Sequence, residues 1–182
     1  LHQLAIIEQH KGNYEEATKL YRQSLEIKQK LGDQSGISSS LHQLAMIEQD
    51  KGNYEEATKL YRQSLEILQK LGDQSGISRS LHQLAIIEQH KGNYEEATKL
   101  YRQSLEIDTK LGDKRGIAVS FAQLALLSEA RNQLDLAKEY FEKALGIFRS
   151  LGDKPHIVQA ENDLQRILTK IKKGNNTSSR KS

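Results

Sequence analysis

KGNYEEATKLYRQSLEI stands at residues 11–27, and the same seventeen letters return at 51–67 and again at 91–107. A stretch that recurs at a fixed step outranks any local reading, because periods of 20–50 residues mark stacked repeat architectures. Here the step is 40 residues. Working outward from it, residues 1–40 and 41–80 differ only at Ile6/Met46, His10/Asp50, Lys28/Leu68 and Ser39/Arg79. The third unit, 81–120, departs from the first at Asp108, Thr109, Lys114, Arg115, Ala118 and Val119. A fourth unit keeps the spacing over 121–153 with a much changed sequence. The division predicted is therefore repeats at 1–40, 41–80, 81–120 and 121–153, a capping helix at 154–173 and a disordered polar tail at 174–182.

Each unit reads as two helices. Leu1, Leu4, Ala5 and Ile7 form an apolar stripe at helical spacing that stops at Lys11-Gly12, with Gly12 suited to a left-handed stop. Asn13 is placed as N-cap of the second helix, with Glu16 three residues on in capping-box spacing. The second stripe is Tyr14, Ala17, Leu20, Tyr21, Leu25 and Leu31; Gly32 ends it and Asp33 caps the first helix of the next unit. Glu15 with Lys19, and Glu26 with Lys30, are spaced for ion pairs along the exposed side. Ala5 and Ala17 fall where the two helices cross closely, and Leu1, Tyr21 and Leu25 face the seam to the next unit. One unit alone leaves that seam wet, so stability has to come from stacking.

Composition narrows the function. The 182 residues contain no cysteine, which removes disulfides and thiolate metal sites. No apolar run has membrane-spanning length and no secretory signal opens the chain, which predicts a cytoplasmic interaction domain with no membrane partner. The net charge of +3 resolves on inspection: residues 161–182 hold six basic against two acidic side chains, while the four units before them are close to neutral. A neutral array without a basic stripe argues against nucleic acid. Leu1 begins inside a helical pattern, which predicts a piece of a longer protein.

The order Leu1-x-x-Leu4-Ala5, Gly12-x-Tyr14, Ala17-x-x-x-Tyr21 and Leu25 resembles the tetratricopeptide repeat. Its length of 40 in place of 34, and the segments Gly32-Asp33-Gln34-Ser35-Gly36, Gly72-Asp73-Gln74-Ser75-Gly76 and Gly112-Asp113-Lys114-Arg115-Gly116, are similar to the longer variety of kinesin light chains, spindle-orientation adaptors and prokaryotic signalling proteins. The resemblance implies an all-α, right-handed superhelix that binds a protein or peptide on its concave face, without cofactor, metal or catalysis. Carried over residue by residue, that face takes His2, Gln3, Ile6, Gln9 and His10 from the first unit. The second supplies Ser39, His42, Gln43, Met46, Gln49 and Asp50, and the third Arg79, His82, Gln83, Ile86, Gln89 and His90. Gln123 and Leu126, with Val119 beside them, complete it. Three of the four differences between the first two units lie on this lining, which fits ligand tuning and fits neutral drift equally well. Ile6, Met46 and Ile86 stand where chaperone-binding relatives carry asparagine, so a clamp for chaperone tails is not implied. Glu8, Glu48 and Glu88 replace an aromatic and are expected to reach solvent or cap a neighbour, and Ser24, Ser64 and Ser104 replace the preferred alanine.

Chemistry finds little foothold. His2 and His10, or His82 and His90, lie eight residues apart, whereas a zinc site wants ligands one turn apart or converging from several helices. No nucleophile, base and orienting acid recur in helical register. The expected activity is therefore a non-enzymatic interaction scaffold within a larger regulatory protein. Alternatives are a sensor arm of an NTPase or protease, a self-assembly module, and an engineered array without a natural ligand. The polar residues Glu161 and Gln165 in slots otherwise apolar predict a finished C-terminal end, and the bare stripe of the first helix predicts homodimerisation through residues 1–25.

Overall fold

The computed structural model describes residues 1–178, and among them every element is an α-helix. The helices are α1 (His2–His10), α2 (Tyr14–Leu31), α3 (Gln34–Asp50), α4 (Tyr54–Leu71), α5 (Gln74–His90), α6 (Tyr94–Leu111), α7 (Lys114–Ala130), α8 (Leu134–Leu151) and α9 (Lys154–Ser178). They fall into two compact units, Leu1–Lys91 and Gly92–Ser182.

The turn inside each repeat is built as the glycine requires. Gly12 takes φ 79°, and the backbone N–H of Asn13 reaches back to the Glu8 carbonyl at 2.9 Å. The predicted capping box does not form. Asn13 precedes α2, but its side-chain amide donates to Glu8 Oε2 at 2.6 Å, and Lys11 pairs with Glu8 Oε1 at 2.9 Å. A charge-assisted bond to a carboxylate outcompetes a neutral cap. Asn53 and Lys51 repeat the clamp on Glu48 at 2.7 and 3.2 Å, so the glutamate that replaces the family's aromatic fastens the turn. The fourth repeat has Ser128 at this position and Asn132 in place of the glycine, at φ 58°. On α2, Lys19 pairs with Glu16 at 3.4 Å, three residues away, in place of the expected Glu15, whereas Glu106 takes Lys110 at 2.7 Å as the pattern predicts.

The turn between repeats explains the segment Gly-Asp-x-x-Gly. Gly32 is left-handed at φ 69°, and Asp33 accepts the Gly36 N–H at 2.8 Å as a true N-cap. The second glycine has a different duty: it admits the side chain eight residues before it. A Cβ at Gly36 would stand 2.8 Å from Lys28 Cδ, at Gly76 2.6 Å from Leu68 Cδ2, and at Gly116 2.5 Å from Asp108 Oδ2. Lys28 uses the opening to give its ammonium to the Gly36 carbonyl at 3.1 Å and to Ser40 Oγ at 2.9 Å. Leu68 cannot, and Ser80 Oγ is left buried without a partner. In the fourth repeat the pair is Phe148 and His156, stacked with centroids 4.9 Å apart, and His156 Nδ1 lies 2.8 Å from the Asp153 cap.

Packing follows the alanines. Ala5, Ala17, Leu20, Tyr21, Leu44 and Ile47 form one core cluster of the first unit, so helices meet where side chains are smallest. Ser64, in a slot the family gives to alanine, is buried and donates to the Ser38 carbonyl at 2.9 Å. One stripe assignment needs correction. Leu31 is 76% exposed because it sits on the last turn of α2, past the neighbouring helix. The stripe of the first helix is bare as expected: Leu1, Leu4 and Ile7 are exposed, while Leu41, Leu44 and Ile47 are buried, since α3 packs on both α2 and α4 and α1 chiefly on α2. Ala45 has no accessible surface, so Ala45→Leu is expected to overpack the crossing and lower stability by about 1–3 kcal/mol in urea unfolding. A wild-type midpoint would show the helix faces to be wrongly assigned.

In the second unit Phe148 gathers Ala118, Ala144, Leu145 and Ala160, and Ile167 packs with Ala125, Ala137 and Phe141. These contacts fasten α9 by Leu164, Ile167 and Ile171. The helix passes the predicted end at 173 and continues to Ser178, correcting the first five residues of the predicted tail; no proline stops it, and a glycine inside a helix costs only about 1 kcal/mol. Residues 179–182 of that tail lie outside the described residues.

Candidate functional site

In the first unit α1, α3 and α5 present the predicted residues in the same order, glutamine, aliphatic, glutamine, one helical turn apart. The sets are Gln3, Ile6 and Gln9; Gln43, Met46 and Gln49; and Gln83, Ile86 and Gln89. Adjacent helices bring them together: Gln49 Nε2 donates to Gln83 Oε1 at 3.4 Å. All of these are half-buried except Gln3, which is exposed. Between α3 and α5 lies a cavity of about 270 Å³ whose lining includes Ser39, His42, Gln43 and Arg79, over Leu68 and Gly76.

The predicted histidines divide into two kinds. His2 and His42 stand edge-on to Tyr21 and Tyr61, centroids 5.3 and 5.1 Å away, so these rings belong as much to the packing as to the lining. Burial holds the His42 imidazole down to about 4, helped by the charge of Arg79, and burial does the same to His82. His10, Asp50 and His90 are exposed at the far edge, and His90 stacks on Tyr54 at 5.5 Å. A histidine kept neutral in the folded state but basic when unfolded contributes stability that is present above about pH 6.5 and lost towards pH 4. The urea midpoint is therefore expected to fall between pH 7 and pH 4.5, and the joint replacement His42→Asn and His82→Asn to flatten that fall; an unaltered pH profile contradicts the assignment.

Tyrosine hydroxyls of second helices reach glutamines of first helices, in two different slots. Tyr21 Oη donates to Gln9 Oε1 at 3.1 Å, and in the second unit Tyr101 Oη to Gln123 Oε1 at 3.5 Å. Tyr61 has no such partner; its hydroxyl and Gln49 Oε1 are both buried and unpaired. Burial, and Asp50 nearby, hold the Tyr61 hydroxyl firmly protonated.

In the second unit Val119, Gln123 and Leu126 are half-buried. Beside them is a group of charges absent from the predicted lining. Arg166 grips Glu129 with two nitrogens at 2.9 and 2.7 Å and also pairs with Asp163, and Lys170 adds a contact to Glu129 at 2.7 Å. These bonds hold the Glu129 carboxyl down to about 2. A signal for them was present: Glu129 occupies the slot of Gln9, Gln49 and Gln89, and continuing the 40-residue step puts Arg166 in the slot of Leu126. Among the described residues no three histidine, aspartate or glutamate side chains gather as metal ligands, and no helix is long and apolar enough to cross a membrane.

Comparison with known proteins agrees with this geometry. The chain has no significant match among curated proteins. Among solved structures it is similar to a signal-transduction ATPase with numerous domains and a tetratricopeptide repeat sensor from Pyrococcus horikoshii, 27% identical, TM-score 0.81, covering 90% of this chain and 25% of that one. A putative kinesin light chain with nearly identical repeats from Podosopora anserina is 23% identical at TM-score 0.67, covering 93% and 94% of the two chains. Aspartyl phosphate phosphatase F from Bacillus subtilis reaches TM-score 0.88 at 13% identity, over 97% of this chain and 46% of that one, a likeness of fold alone. The sequence model described as "Tetratricopeptide repeat" matches residues 1–72 and 76–150. Paired helices crossing at alanine, left-handed glycines at every turn but that of Asn132 and a 40-residue step are thus features of kinship as well as of packing, and the chain belongs to the tetratricopeptide repeat family.

Proposed function

We propose that the chain is a non-enzymatic scaffold that holds a peptide or helical segment of another protein against the face made by the first helices of its repeats. The observation that carries this reading is the row of half-buried Gln43, Met46, Gln49, Gln83 and Ile86, which offers amide bonding and apolar contact with no charge among them. Such a surface gives complementarity without contributing much to the fold. The test is selection of peptides from a displayed library on the full chain, followed by binding to Gln43→Ala/Met46→Ala. His42 stays intact because of its contact with Tyr61. The variant is expected to bind at least about tenfold more weakly with a melting temperature within about 2 °C of wild type. Unchanged binding removes the groove from consideration.

A second reading is favoured by the Pyrococcus horikoshii structure, in which this repeat architecture is a sensor joined to an ATPase. As a sensor arm, the chain would share its polypeptide with a nucleotide-hydrolysing domain, and binding in the groove would alter that domain's rate. A parent polypeptide without such a domain disposes of this version and leaves the scaffold reading intact.

A further inference from the structure

The cavity of about 270 Å³ between α3 and α5 carries on its lining a cation and an anion that do not meet. Arg79 is the cation and Asp73 the anion, and the other lining side chains are neutral. Burial and the charge of Arg79 keep His42 so, with its imidazole down at about 4. Among the described residues neither Arg79 nor Asp73 belongs to an ion pair, and Asp73 uses one carboxylate oxygen to accept the Gly76 N–H at 2.9 Å. Both side chains are exposed, so the cavity is open to solvent at each charge. The hydroxyls of Ser35 and Ser39 and the carboxamide of Gln43 also line it, with no side-chain hydrogen bond among the described residues.

The corresponding place in the first repeat keeps its cation inside. There Lys28 gives its ammonium to the Gly36 carbonyl at 3.1 Å and to Ser40 Oγ at 2.9 Å, and Ser39 stands in the slot of Arg79. In the second repeat Leu68 takes the place of Lys28 and brings no charge, while an arginine takes the place of the serine. Val119 holds that slot in the third. Two of the four differences between the first two units, Lys28/Leu68 and Ser39/Arg79, thus exchange an internally bonded cation for one that lines an open cavity.

We propose that this cavity is a subsite for a small polar α-amino acid in its free form, its carboxylate held by Arg79, its ammonium by the remaining oxygen of Asp73, and its side chain by Ser35, Ser39 and Gln43. The ligand is a small molecule, so the subsite goes beyond the groove reading and does not need a bound segment. Charge selects it. A carboxylate alone sets a second anion beside Asp73, and an ammonium alone sets a second cation beside Arg79; a zwitterion answers both with charge-assisted bonds and leaves the cavity neutral. Spacing agrees: six residues separate Asp73 from Arg79, about 9 Å along the helix axis. A carboxylate and an ammonium on one carbon, with a hydrogen bond of about 2.8 Å at either end, span about that distance. Size agrees as well, since pockets for drug-sized ligands begin at about 300 Å³ and this one is smaller.

Isothermal titration calorimetry of the full chain with L-glutamine, L-serine, N-acetyl-L-glutamine and L-glutaminamide tests both ends of the ligand. The first two are expected to bind saturably. The other two, which lack the ammonium or the carboxylate, are expected to bind at least about tenfold more weakly than L-glutamine. Arg79→Ser installs the residue that position 39 already has, and Asp73→Asn keeps an N-cap, so both variants are expected to fold with an unchanged circular dichroism spectrum. Each is expected to weaken L-glutamine about tenfold. A blocked derivative that binds as well as L-glutamine, either variant binding as wild type does, or no saturable heat at about 10 mM amino acid overturns the subsite.

Discussion

Phe148→Ala is expected to lower the unfolding free energy by about 3–5 kcal/mol, the range for deleting a buried aromatic side chain. The ring is almost wholly buried among Leu145 and three alanines, Ala118, Ala144 and Ala160, whose methyl groups are too short to fill the space it leaves, and the variant also loses the stack on His156. The loss should appear first in α9, as faster amide exchange around Ala160 to Ile167. Arg166→Ala provides the contrast. Its side chain is 42% exposed, Lys170 remains on Glu129 and Gln159 still donates to Asp163, so about 1 kcal/mol is expected. Urea unfolding of both variants decides between them: near-equal losses would mean that charge, and not packing, holds the last helix.

Ile47→Ala is expected to cost about 2–5 kcal/mol and Ile7→Ala no more than about 0.5 kcal/mol. The two isoleucines occupy the same position in first helices that differ over ten residues only at Ile6/Met46 and His10/Asp50, yet Ile47 has no accessible surface and Ile7 is 49% exposed. The difference lies wholly in what packs on the outer side of the helix. Comparing melting curves of the two variants measures the contribution of stacking with the local sequence nearly constant. Equal losses would show that the helix pair is stable by itself.

The period, the helix pairs and the crossing alanines were legible in the sequence because each rests on local chemistry repeated several times: Gly12 and Gly32 at left-handed turns, Asp33 as a cap, Ala5 and Ala17 where backbones approach. What was not legible depends on competition among partners. Asn13 had a cap position available but found the Glu8 carboxylate, five residues away, a better acceptor. Leu31 matches the stripe in spacing, yet the neighbouring helix does not reach it. On the candidate face, the aliphatic and glutamine rows were placed by the resemblance to the family, residue by residue. The Tyr61 and Gln49 pair could not be placed that way, since its distinction from Tyr21 and Gln9 arises between side chains of identical sequence. The Glu129 cluster needed the register of a helix that shares almost no letters with the repeats before it.

The opening beside the second glycine of each inter-repeat turn bears on how such a chain can change over generations. The receiving side is nearly constant, Gly36 with Ser40, Gly76 with Ser80 and Gly116 with Ser120, while the entering side chain varies freely through lysine, leucine and aspartate. Nearly identical coding segments invite unequal recombination, which duplicates or deletes whole units. A unit inserted among the first three carries its own entering side chain and finds a compatible opening ahead of it, so the product can fold without compensating substitutions. His156 ends that freedom, because the ring fills the opening that a glycine would leave. Length can therefore vary upstream of the fourth repeat in steps of forty residues, while the last helix keeps one matched predecessor.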